Sequence, residues 1–325
     1  MGNKVIFITG ANGEMGHSLI KSFNDKGINN IVALDIDTPK LSFNITKFIK
    51  GSILDENILN DIDEKYTIIS IYHLAAVLST GAEKNPILAN EVNIQGTKNI
   101  LKLGSSQILK YNQNLLFFFP SSIAVYNVSE NNNLQINENE YCKNPTTEYG
   151  KAKLICEEMG KNFESTEKSR LDFRSIRFPG IISATSIPTG GTSDYVPEMI
   201  HAAAKKESYE CFVGKNRRLP FIVMPDAIEA IFQIVKTPKK NLFKNSYNIT
   251  SFNPTVKDFY KKTKEWFPEF NMTYSIDQRR QKIVDSWPNS VNCDSAKKDW
   301  GWKPSYNFDD AFSNYIIQEL KNKYQ

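Results

Sequence analysis

Four cysteines and three histidines are all that 325 residues offer for soft-metal ligation. Cys142, Cys156, Cys211 and Cys293 lie far apart with no C-x-x-C pair, and His17, His73 and His201 form no H-E-x-x-H or Cys/His cluster. A metal site is therefore not expected, and each of these side chains is read as an ordinary packed or half-exposed residue. Long apolar runs are missing too. The longest, residues 115–119, is far too short to cross a bilayer. The first methionine leads into a hydrophobic strand within four residues, leaving no room for a signal or transit peptide, so a cytoplasmic protein is the default expectation. Charge of one sign is also lacking: 40 Lys and Arg face 36 Asp and Glu. The resulting +4 is spread along the chain, no compact basic block alternates with aromatics, and nucleic acid is not an expected partner. There is no internal repeat.

What is present begins at once. Lys4–Thr9 is a β-branched and aromatic run that reads as a buried strand. It delivers Gly10-Ala11-Asn12-Gly13-Glu14-Met15-Gly16, after which Leu19, Ile20 and Phe23 recur at helical spacing. Glycines at those three places let the backbone turn sharply and approach a pyrophosphate, which meets the amide end of the helix. A second strand at residues 31–34 ends in Asp35, about the right distance on for an acid that accepts from both ribose hydroxyls of a dinucleotide. That carboxylate would repel a 2′-phosphate, and no Arg stands nearby to welcome one, so NAD is expected rather than NADP.

Further strands are expected within residues 48–54 and over 67–74, the latter ending in His73-Leu74-Ala75-Ala76, where small residues let backbone approach a flat cofactor. His73 itself is read as packed beneath the sheet. Residues 85–104, with Ala89, Val92, Asn93 and Ile100 in register, read as a crossover helix. A fifth strand at 115–119 delivers Pro120-Ser121-Ser122, and a sixth at 172–178 ends at Pro179-Gly180. Residues 129–140 read as a polar loop. The alternation predicts an α/β fold with a doubly wound parallel sheet over residues 1–178. The chain from 179 to 325, cut by prolines and dense in aromatics, is expected to form mainly a smaller substrate-binding lobe, some segments returning to the sheet. Its tryptophans are read as core.

The chemistry sits in Tyr149-Gly150-Lys151-Ala152-Lys153. Pro145 blocks a helix upstream and Thr146 or Thr147 can cap one just after, which places Tyr149 and Lys153 on one helical face. A phenol is a poor base at neutral pH, and an ammonium one turn away favours its phenolate. Ser122, upstream at a strand end, can hydrogen-bond an oxygen shared with the phenol.

With Gly10, Gly13, Gly16, Asp35, His73–Ala76, Ser122, Tyr149 and Lys153 in this order, the chain resembles the extended short-chain dehydrogenase/reductases, which include the NAD-dependent epimerases and dehydratases. The segments at 73–86 (HLAAVLSTGAEKNP), 120–126 (PSSIAVY), 177–183 (RFPGIIS), 190–195 (GGTSDY), 224–228 (MPDAI), 283–288 (IVDSWP) and 299–302 (DWGW) resemble the short-chain L-threonine 3-dehydrogenases. Sugar epimerases usually carry an Asn two places after the Arg of the sixth strand. Here Arg177 is followed by Phe178 and Pro179, which argues against a nucleotide-sugar substrate.

The resemblance implies an NAD-dependent Rossmann enzyme that oxidises L-threonine to 2-amino-3-oxobutyrate, often as a homodimer built on helices at 89–105 and 149–163. It implies Ser122, Tyr149 and Lys153 as catalytic residues. NAD contacts are implied at Gly10, Asn12, Gly13, Glu14, Met15, Gly16, Asp35, Ser52, Ile53, Leu74, Ala75, Ala76, Asn93, Pro179 and the Tyr149/Lys153 pair. Substrate contacts are implied at Ser79, Thr80, Ser122, Tyr149, Gly180, Thr192, Ser193, Asp194 and Trp287. Asp194 is the expected partner of the substrate ammonium, and backbone amides near Gly190-Gly191 or Ser79-Thr80 of its carboxylate. Ser193 replaces the usual Thr, and Ser52 stands where many relatives have an Asp on the adenine amino group. Two alternatives are kept: a nucleotide-sugar epimerase or dehydratase holding NAD, and a catalytically silent NAD-sensing protein.

Overall fold

The computed structural model describes residues 4–39, 42–128, 135–140, 142, 144–166, 170–188 and 191–324. Eleven strands occur among them: β1 Lys4–Thr9, β2 Ile31–Asp35, β3 Lys47–Lys50, β4 Thr67–His73, β5 Leu115–Ser122, β6 Leu171–Phe178, β7 Gly180–Ile182, β8 Tyr209–Cys211, β9 Phe221–Val223, β10 Ser246–Asn248 and β11 Met272–Tyr274. Seven form one all-parallel sheet in the order β10-β6-β5-β4-β1-β2-β3. The direction of winding reverses between β1 and β4, so the crevice a doubly wound sheet offers a ligand opens beyond their carboxyl ends.

Alternation along each strand builds two cores. Val5 and Phe7 of β1, with Phe117 and Phe119 of β5, face a cluster under the helix Thr97–Tyr111; Ile6, Ile8 and Phe118 face the opposite cluster, which runs on into the C-terminal part. That second cluster takes in the helix Met224–Lys236, whose Phe232 meets Phe23 edge-on at 5.0 Å. β10 extends the main sheet, while β7 with β9 and β8 with β11 form two-stranded pairs. Trp300 and Trp302 are buried against each other, 5.7 Å between ring centroids, as core. No helix among the described residues is long and apolar enough to cross a membrane.

Two boundaries differ from the sequence reading for physical reasons. The crossover helix is interrupted: after Pro86–Asn90 a π turn over Glu91–Gly96 precedes Thr97–Tyr111, and this extra residue in the turn aims Asn93 inward. β5 does not stop at Phe119. It runs through Pro120 to Ser122, each residue from 115 to 122 in register with β6, because the strand keeps its partner although Pro lacks a donor. Residues 129–134 of the expected polar loop lie outside the described residues.

The helix Glu148–Thr166 is pressed onto this sheet by an absence of side chain. A Cβ at Gly150 would stand 2.0 Å from the Ala124 carbonyl oxygen. Gly150→Ala must therefore push backbone from backbone. We expect a loss of about 1–3 kcal/mol in urea unfolding, together with reduced turnover, since Tyr149 is the adjoining residue.

Candidate active site

At the crevice the glycine turn is packed from both sides. Gly10 has φ +67°, and a Cβ there would lie 2.5 Å from the Ala75 amide nitrogen; one on Gly16 would lie 2.4 Å from the Gly10 carbonyl. Gly13 differs. Its nearest neighbour would be 3.4 Å away, ordinary contact, so packing does not require glycine there. Its bareness instead leaves clear the start of the helix Glu14–Asp25, which has no side-chain cap. Uncapped first-turn N–H groups behind an open glycine suit an anion, and the arrangement fits the pyrophosphate of a dinucleotide.

Asp35 is already oriented. One carboxylate oxygen accepts from the Asn12 amide at 2.8 Å, the other from the Asp37 amide at 3.1 Å. Asn12 is braced by its own side chain, donating to the Thr38 carbonyl at 2.8 Å and lying 2.8 Å from His17 Nε2. Ser52 Oγ accepts from the Leu54 amide, and Ile53 is buried over Gly96 with its carbonyl held by Asn99.

Beside them Leu74, Ala75 and Ala76 follow β4 as a half-buried loop, clamped by Asn93: the amide oxygen accepts from Val77 N–H at 2.7 Å and the amide nitrogen donates to the Val77 carbonyl at 3.0 Å. Asn93 thus shapes the wall, its side chain committed to the loop.

His73 is buried, as expected, and a hydrogen-bond chain assigns its proton. Thr97 Oγ1 donates to the Asn93 carbonyl at 2.6 Å, so it accepts from His73 Nε2 at 2.9 Å; Nδ1 then accepts from Thr9 Oγ1 at 2.7 Å, which in turn accepts from the Ala75 amide. The ring is neutral: burial, and secondarily the charge of Lys153, push its pKa down to about 3.

The reacting edge lies at the carboxyl end of β5. Thr147 Oγ1 accepts from the Gly150 amide at 2.9 Å, so of the two candidate caps Thr147 is the one used here, while Thr146 bonds Ser286 Oγ at 2.7 Å. Glu83 Oε1 accepts the Glu148 amide at 2.7 Å, an additional cap that the sequence does not signal, since its helix, Ser79–Lys84, is remote in the chain. Ser122, half-buried, accepts from the Ala124 amide at 3.1 Å and keeps its proton to donate.

Lys153 departs from expectation. Its Nζ donates to the Pro120 carbonyl at 2.7 Å and stands 4.5 Å from the Phe119 ring centroid and 5.5 Å from that of Tyr149. Burial pulls its pKa down to about 8, offset by Cys156 and Glu157, whereas burial alone pushes the Tyr149 phenol well above its ordinary value. The ammonium by itself does not depress the phenol here.

The expected substrate residues on the turn after β7 pack on Ser79. Thr192 donates twice to Ser79 Oγ, from its amide and its hydroxyl, both at 3.0 Å. Thr80 follows Ser79, and Ser193 and Asp194 follow Thr192, all three half-buried. Asp194 accepts from the Gly191 amide at 2.6 Å, which removes that amide as a free carboxylate donor; Gly190 lies outside the described residues. Arg280 ties this turn down by donating to the Gly191 carbonyl at 3.0 Å. Glu14 is close enough to Asp194 to feel its charge. Burial first, then Asp194, push its carboxyl up to about 7, with Ser186 and Lys323 opposing.

Pro179 and Gly180 are buried where β6 meets β7; a Cβ on Gly180 would strike the Phe221 ring, so close packing requires glycine there. Trp287 is buried beside Ser286, its indole N–H without a hydrogen-bond partner among the described residues.

Residues 6–250 match the NAD dependent epimerase/dehydratase family. Mitochondrial L-threonine 3-dehydrogenase of Bos taurus is 33% identical over 314 residues, covering 96% of this chain and 81% of that protein. An uncharacterized epimerase/dehydratase of Staphylococcus aureus (strain USA300) is 33% identical over 330 residues, covering 98% of each. Among solved structures, a monomeric L-threonine 3-dehydrogenase from a metagenome, in apo form, superposes with a TM-score of 0.87 at 36% identity, covering 98% of this chain and 99% of that one.

One titration follows from Lys153. Its folded pKa lies below the unfolded value of 10.5, so between about pH 8 and pH 10.5 the unfolded chain binds more protons and stability rises with pH. Urea unfolding of the wild type should show this rise relative to Lys153→Met; parallel curves would place the lysine outside the low-dielectric site.

Proposed function

We propose, from the premise that this chain belongs to the NAD dependent epimerase/dehydratase family, that it oxidises L-threonine at its β-hydroxyl to 2-amino-3-oxobutyrate with NAD. The observation that carries the reading is the seating of the Thr192 turn on Ser79, at the start of the helix whose Glu83 caps the helix bearing Tyr149; small polar groups beside that helix suit a small zwitterion. Named relatives divide between threonine dehydrogenases and an uncharacterized epimerase/dehydratase, so the choice rests on the pocket and on Arg177-Phe178-Pro179.

The chemistry the coenzyme supplies when bound is hydride acceptance at its nicotinamide ring. Gly13 and the start of the helix Glu14–Asp25 would hold its pyrophosphate, Asp35 its adenosine ribose, and Tyr149 with Lys153 its nicotinamide ribose. Ser122 donates to the β-hydroxyl oxygen and fixes it against Tyr149, which takes the proton. Because burial raises the phenol, a buried cation is needed to favour the phenolate, and Lys153 is the lysine in reach once it leaves the Pro120 carbonyl. Asp194 answers the ammonium. The Ser79-Thr80 amides answer the carboxylate, since unpaired buried charge is costly.

A homodimer is the assembly the family resemblance implies, on helices at 89–105 and 149–163. Ile155 on the second is 45% exposed, and Ile87, Leu88 and Leu109, just beyond the ends of the first, are 45–75% exposed. The metagenomic relative is monomeric, so light scattering on the purified protein decides this point.

NADH absorbance should rise with L-threonine; no rise with L-threonine, together with conversion of UDP-glucose to its 4-epimer at unchanged NADH, would install the epimerase reading. Tyr149→Phe should lower kcat by roughly 10²–10⁴-fold while weakening NAD by no more than about 10-fold, the loss of one ribose hydrogen bond, and a near wild-type rate would remove the phenol from the mechanism.

A further inference from the structure

We propose that Glu157 is a positioning residue of this site: its carboxylate ties the helix bearing Tyr149 and Lys153 to β5, which delivers Ser122, and to β6, which leads into Pro179-Gly180. Oε1 accepts from Ser121 Oγ at 2.5 Å and from Arg177 Nε at 2.9 Å, and Oε2 accepts from Arg177 Nη2 at 2.6 Å. All three residues are buried, none more than 5% exposed. Ser121 immediately precedes Ser122 on β5. Arg177 lies two residues before Pro179 on β6. Glu157 lies one turn beyond Lys153 and two beyond Tyr149, on the same face. The fork fixes a plane as well as a distance, so a small slip of the helix along the sheet breaks three bonds together.

The far side of the tie is anchored in turn. Arg177 Nη1 donates to the Tyr126 hydroxyl at 2.9 Å and to the Glu138 carbonyl at 2.5 Å, and Tyr126 donates to Asn248 of β10 at 2.7 Å. A buried pair is weak evidence for stability, because apolar residues of similar size often serve as well. What an apolar pair cannot reproduce is the bond to Ser121, which sets the helix against the strand end where Ser122 stands.

The tie also has an electrostatic side. The groups facing Lys153 are Tyr149, Cys156 and Glu157 from its own helix, the Pro120 carbonyl and Phe119 ring from β5, and His73 from β4. Glu157 is the carboxylate in that set, and its charge helps keep the lysine protonated.

The inference rests on the threonine-oxidising reading, and the test separates the two. Ser121→Ala, and the pair Glu157→Leu with Arg177→Met, are compared with wild type for steady-state kinetics, urea unfolding and amide exchange of residues 148–157, with and without NAD. Ser121→Ala should fold, exchange faster over those residues, and lose roughly 10-fold in kcat with the KM for NAD held within about 2-fold. The double variant should recover stability but remain roughly 10²-fold slow. A double variant restored in both stability and kcat would reduce Glu157 to a packing role, as would Ser121→Ala with unchanged kcat and exchange. Should wild type itself fail to reduce NAD with threonine, the substrate assignment falls, and the exchange data alone decide the tether: faster exchange upholds it, unchanged exchange ends it.

Discussion

Everything at this site depends on one close approach, the helix Glu148–Thr166 lying against the carboxyl end of β5. A phenol on a helix and a hydroxyl on a strand share one oxygen only if their backbones nearly touch, and Gly150 over the Ala124 carbonyl permits that touch. Thr147 and Glu83 fix where the helix begins, and the Glu157 carboxylate sets its depth along the sheet. The face bearing Tyr149 and Lys153 is therefore held by three kinds of constraint, namely a missing side chain, capped amides and a buried ionic fork. Each acts on a different stretch of the same helix.

The coenzyme side is built on the opposite principle, exposed backbone rather than side chains. Gly10 and Gly16 let β1, the Glu14–Asp25 helix and the Leu74–Ala76 loop crowd together, while Gly13 keeps the helix start open. His73 and Asn93 stiffen that crowding from below, one as a neutral relay between Thr9 and Thr97, the other as a clamp on Val77. Neither offers a charge to the ligand. The polar groups beneath the Leu74–Ala76 loop are spent on holding shape.

Much of this was legible in the chain. β1 kept its bounds because a β-branched run between a charged residue and a glycine has few alternatives, and the Gly10/Gly13/Gly16 and Asp35 spacing fixed the crevice. The Tyr149–Lys153 spacing placed both on one face, yet spacing cannot say what a side chain meets, and Lys153 met the Pro120 carbonyl instead of the phenol. Glu157 shares that face too; its partners Ser121 and Arg177 come from distant strands, so no local pattern announces the fork. Asn93 stands among the NAD contacts the resemblance implies, and only the folded chain shows its side-chain amide bonded to Val77. The Gly191 amide was lost to Asp194 for the same reason: competition among neighbours in space is invisible in order along the chain.

Ser79 and Thr192 have a consequence for discrimination among ligands. These two walls bond to each other, both Thr192 donors resting on one serine oxygen. A visitor that wedges these walls apart must offer polar atoms in return, or it strands hydroxyls away from water. Greasy molecules of the right size are turned away by the enzyme's own unsatisfied surface, before any question of reactivity arises.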